Sequence, residues 1–75
     1  MTTADIVMER ALTHARDGTE EEAALVDLLD CCGGNRVAVV LARQHLMERT
    51  IDGQDDQASR AADLLGLTLE RFPEE

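Results

Sequence analysis

Gly18 and the pair Gly33-Gly34 constrain this chain most, because each ends a stretch whose apolar residues recur at three- and four-residue spacing. Before Gly18, the residues Ala4, Val7, Met8, Ala11, Leu12 and Ala15 fall on one helical face. Thr3 is placed to cap that helix, and Asp5 sits where the positive end of the helix dipole favours an acid. His14 and Arg16 occupy its last turn, where the dipole favours a base. In the next stretch, Thr19-Glu20-Glu21-Glu22 has the spacing of a capping box, a Thr hydroxyl and a Glu three residues on serving each other's backbone N–H groups. Ala24, Leu25, Leu28, Leu29 and Cys32 then form the inward face, with Asp27 and Asp30 pointing away. Gly18 alone separates these two segments, so a tight antiparallel or angled hairpin is expected.

Asn35 can cap a third helix from about Arg36 to Ile51. Its first half, Val37, Ala38, Val39, Val40, Leu41 and Ala42, is apolar on every side. Such a run also suits a buried strand. No second strand-like run exists to pair with it, however, and helix-forming residues continue the chain without a break. A helix apolar all round belongs at the centre of a domain or across a dimer seam. Asp52 to Gln57 reads as a polar loop, and a fourth helix starts near Asp55 or Asp56 with Ala58, Ala61, Ala62 and Leu65 on one face. At Gly66 two readings compete. The helix continues, carrying its stripe to Leu69 and Phe72, or it breaks and Thr68 caps a short last turn that Pro73 ends. The break is preferred here, because Gly inside a helix costs roughly 1 kcal/mol against Ala. The expected fold is all-α, a small bundle of three to four helices with short loops, forming one domain over residues 1–75.

A chain of 75 residues buries a thin core, and Phe72 is its only aromatic residue. Its two cysteines, Cys31 and Cys32, are neighbours and supply no disulfide framework. Small domains without such staples often associate, so a homodimer is expected, with helix three at the seam. The formal charge is -9, and all seven basic residues are Arg. That balance disfavours phosphate backbones and anionic membrane surfaces, and favours a basic protein surface. The N-terminus lacks a basic segment followed by an apolar one, and the longest apolar run, Val37 to Ala42, is far shorter than the roughly 20 residues that span a bilayer. The expected location is the cytoplasm, with reduced thiols.

The string Arg60-Ala61-Ala62-Asp63-Leu64-Leu65-Gly66-Leu67-Thr68 resembles the first helix and turn of a helix-turn-helix DNA-binding motif. The C-terminal residues depart from that motif: Thr68 to Glu75 is too short for a reading helix, ends in Phe72-Pro73-Glu74-Glu75, and offers only Arg71 to bases or phosphates. Adjacent cysteines close only a strained ring, and their place near a helix C-terminus disfavours the thiolate. Adding His14 and His45 gives a nominal two-Cys, two-His set that adjacent cysteines fit poorly. Cys32 therefore reads as a small core residue and Cys31 as partly exposed. Asp52-Gly53-Gln54-Asp55-Asp56 resembles a calcium loop, yet Gln57 stands where the turn requires Gly and Asp63 where the bidentate Glu belongs. Ser59 is the only serine, and Tyr, Trp and Lys are absent, so neither a catalytic site, a metal nor a cofactor is expected.

Binding remains. The sequence is read as a small acidic helical protein-interaction module of regulatory, adaptor or inhibitory type, self-associating as a homodimer. Its expected contact residues are Val39 and Leu46 on helix three, with an acidic rim at Glu20, Glu21 and Glu22. The alternative is a degenerate helix-turn-helix DNA-binding regulator.

Overall fold

The chain enters its first helix one residue earlier than Thr3 implies. In the computed structural model, which describes residues 2–50 and 56–72, α1 spans Thr3–Asp17 and Thr2 is its N-cap. The Thr2 hydroxyl accepts from the Asp5 N–H at 3.2 Å, and the Asp5 carboxylate accepts from the Thr2 N–H at 3.2 Å. This reciprocal pair is a capping box. Thr3 stands three residues before Ile6, which can return no such bond. At the far end Gly18 adopts φ 68°, a left-handed conformation that a side chain would strain, and its N–H reaches the His14 carbonyl.

The second helix, α2, spans Glu21–Cys31, and the box expected at Thr19 does not form. The N-cap is Glu20, without a side-chain cap bond. Thr19 lies one residue too early, and its hydroxyl is engaged by His14 instead, 2.9 Å from Nδ1. Gly33 and Gly34, at φ 60° and 80°, then reverse the chain. The third helix, α3, spans Arg36–Thr50, and Asn35 caps it as expected, its side-chain oxygen accepting from the Ala38 N–H at 3.1 Å. The fourth, α4, spans Asp56–Glu70. The polar, calcium-like stretch at 52–55, the expected helix end at Ile51 and the tail from Pro73 lie outside the described residues.

All described secondary structure is helical, and α4, not α3, is the central helix. It packs against α1, α2 and α3, while α2 packs only on α1 and α4. Its buried positions, Ala58, Ala61, Ala62, Leu64, Leu65 and Thr68, cover more than one narrow stripe. They join Val7 and Ala11 of α1, Ala24 and Leu28 of α2, and Val39, Ala42 and Leu46 of α3 in one core, with Cys32 beside them. Six of those residues are alanines, so the helices approach closely and a thin core excludes water without aromatic rings. α3 does not hold the centre because half its apolar residues face outward.

Gly66 does not break α4. The helix continues to Glu70, and the stripe runs on through Leu69 to Phe72, both packed against the core. Thr68 is no cap: it is fully buried, and its hydroxyl donates to the Leu64 carbonyl at 2.8 Å, which satisfies it inside the helix. Gly66 also has a tertiary role, since a Cβ there would lie 3.3 Å from Nε of Arg43, whose side chain crosses α4 at this point. The Arg43 stem is flexible and can give by a few tenths of an ångström. Gly66→Ala is therefore expected to raise stability by up to about 1 kcal/mol through helix propensity. Urea denaturation checks this, and a lowered midpoint would show that the Arg43 crossing outweighs propensity.

Candidate interaction surface

The apolar run at the start of α3 is split between two faces. Ala38, Val39, Ala42 and Leu46 point inward and are buried. Val37, Val40, Leu41 and Met47 point outward, exposed by 66%, 42%, 43% and 44% respectively. Among the described residues, the other exposed large apolar side chains are Ile6 on α1 and Val26 on α2. The outward face of α3 is thus where exposed apolar surface concentrates, and such concentration marks contact surfaces.

This division corrects the expected contact residues. Val39 and Leu46 have no accessible surface, so neither can touch a partner of the folded chain. The sequence shows an apolar run, but only the placement of α1 and α4 decides which members are covered. Glu20, Glu21 and Glu22 are exposed as expected. They do not rim the α3 face, because α2 makes no packing contact with α3. Glu22 pairs instead with Arg71 at the end of α4, tying down the C-terminal stripe. Glu21 and Arg43 both line an open groove along α4, with Arg60, Leu67 and Glu70.

Charge is distributed unevenly. α3 carries Arg36, Arg43 and Arg49 against one acid, Glu48, whereas α2 carries Glu21, Glu22, Asp27 and Asp30 and no base. The most apolar exposed face therefore sits on the helix richest in bases.

A polar node that the sequence does not reveal joins α1 to α2. Asp27, expected to point into solvent, accepts from His14 Nε2 at 2.6 Å and lies 3.4 Å from Arg10 Nη1. The Asp27 carboxylate accepts, so Nε2 carries a proton. In the neutral ring Nδ1 then accepts from the Thr19 hydroxyl. The sequence signal is a pair of bases at 10 and 14 and an acid at 27, but pairing across thirteen residues needs the hairpin angle. The node lines neither the groove along α4 nor the one beside Glu9 and Arg16, and its groups join the two helices of the hairpin.

Cys32 is buried and Cys31 partly so, as the sequence implies. Burial pushes the Cys31 thiol above its ordinary value, and the nearby Asp27 carboxylate adds to this. Among the described residues no three His, Cys, Asp or Glu side chains converge as a metal set, and no helix is long and apolar enough to cross a membrane. The string from Arg60 to Thr68 lies within one unbroken helix, so the turn that a helix-turn-helix requires at Gly66 is absent. No family model matches the chain, and no curated protein or solved structure matches it.

Two measurements probe this region. Thr19→Ala is expected to cost about 1 kcal/mol through its bond to His14. The same substitution in a His14→Ala background should cost little, and equal costs in both would return the effect to helix capping. Cys31 should alkylate slowly at neutral pH, the rate rising only on the alkaline side of an ordinary thiol. Rapid stoichiometric labelling of the native protein at neutral pH contradicts that.

Proposed function

We propose that this chain is a small acidic helical protein-interaction module, acting in a regulatory, adaptor or inhibitory role, and that its contact surface is the outward face of α3. The observation that carries the reading is the exposure of Val37, Val40, Leu41 and Met47 on one side of a helix whose other side is core. Leaving such side chains in water forgoes about 25 cal/mol per Å² of burial, a gain that a partner recovers. The acidic remainder of the surface, Glu20 and Glu21 included, repels phosphate backbones. The DNA-binding alternative loses its structural support with the missing turn at Gly66. The reading is one of binding, without a catalytic step.

Crosslinking and capture from the native host test it, using the wild-type chain beside Val37→Glu and Leu41→Glu, with Ile6→Glu as the exposed control. Both α3 variants should lose a specific partner protein while keeping their helical circular dichroism, and the control should retain it. Undiminished capture by the α3 variants, or salt-sensitive retention of DNA in their place, would overturn the reading.

A further inference from the structure

The outward residues of α3 are spaced for a particular occupant. Val37, Val40, Gln44 and Met47 succeed one another at intervals of three, four and three, and all four are exposed. These are the a and d positions of a heptad seam, whose period lets two helices stay in contact along their length. The core-facing Ala38, Val39, Ala42 and Leu46 fall on the remaining positions. One helix thus carries two registers, an inner one for its own bundle and an outer one written as a coiled-coil seam.

We propose, building on the interaction reading above, that the occupant of this face is a second copy of the chain, its α3 packed parallel to the first about a two-fold axis. Charge selects the orientation. Arg43 and Glu48 occupy the g and e positions beside the seam, neither forms an ion pair with another described residue within one copy, and the flexible Arg43 stem, which rests over Gly66 of α4, can turn from there toward a partner. In a parallel pair, Arg43 meets Glu48 of the partner copy, and symmetry repeats the contact. In an antiparallel pair, flanking positions of the same kind meet, and Arg43 faces the partner's Arg36 or Arg43. The parallel arrangement also lays the Arg36 stem beside Leu41 of the partner, where its methylenes cover apolar surface. Gln44 meets its own counterpart on the axis, and an amide, being donor and acceptor at once, can bond to itself there. A polar residue at one a position also fixes the register. Every element of this contact comes from a single stripe, so the surface is complementary to itself.

Two heptads make a short seam, yet α3 is already held helical by α1 and α4, so dimerisation carries no cost of ordering it. The association is correspondingly modest, reversible and dependent on concentration.

Sedimentation of the full chain up to millimolar concentration, combined with crosslinking and charge exchange, tests the proposal. A reversible dimer is expected. In a Cys31→Ser, Cys32→Ala background, Val40→Cys should form an intermolecular disulfide under mild oxidation and Ile6→Cys should not. Arg43→Glu and Glu48→Arg should each weaken the dimer about three- to tenfold, and the two together should restore it. Circular dichroism confirms the fold of each variant, and Gln44→Cys reads the same axis should Val40→Cys fold poorly. A chain that stays monomeric overturns the proposal, as does a dimer that fails to link at position 40 and is not restored by the exchange. In either case the wider reading stands if capture of another protein still depends on Leu41, and falls if it does not.

Discussion

Close approach of helices through alanine is the constraint on which the rest of this structure depends. With one aromatic residue in 75, the chain cannot fill a core by bulk. It packs α4 against three other helices and buries Ala58, Ala61 and Ala62 of α4 in one core with Ala11, Ala24 and Ala42 of the others. Leu28, Leu46, Leu64 and Leu65 then fill what space remains. Small side chains at such crossings lose almost no rotamer entropy on burial, which suits a domain of low surface-to-core advantage. The same economy leaves little apolar surface to spare for outer faces, so its concentration on α3 is informative.

The double character of α3 is a consequence. A peripheral helix needs one apolar stripe of limited width. α3 has that stripe, and carries a second on the opposite side. Arg36 stands beside the outer stripe, Arg43 rests over α4 and Arg49 lines the groove beside Glu9 and Arg16, while the acids gather on α2, which does not pack on α3. The polar node of Arg10, His14, Thr19 and Asp27 and the Glu22–Arg71 pair have another task. They join α2 to α1 and to the end of α4.

Much of this is legible in the sequence. Four helices, their glycine stops at Gly18 and Gly33-Gly34, the Asn35 cap and the Ala58–Leu65 face all arise from local chemistry and period, because each depends on residues within a turn of one another. The departures share a cause. Thr19 matches a capping box locally but is captured by His14 from another helix. Gly66 reads as a stop because isolated glycine disfavours helix, whereas packing of Leu69 and Phe72 on the core holds α4 straight through it. Val39 and Leu46 belong to a run apolar on every side, and only tertiary placement separates its buried members from Val37, Val40 and Leu41. The 3-4-3 spacing of the outer seam is present in the sequence too, but it is overlaid on the core period and emerges only once the core residues are subtracted.

In the proposed reading α3 serves two apolar faces, one turned to the core and one to a partner. Methyl-resolved NMR across a dilution series measures this without any substitution. Concentration-dependent shifts are expected at the methyls of Val37, Val40, Leu41 and Met47, with those of Val39 and Leu46 unmoved. Shifts centred on Ile6 or Val26, or a spectrum unchanged over the whole series while other proteins bind elsewhere on the surface, would contradict it.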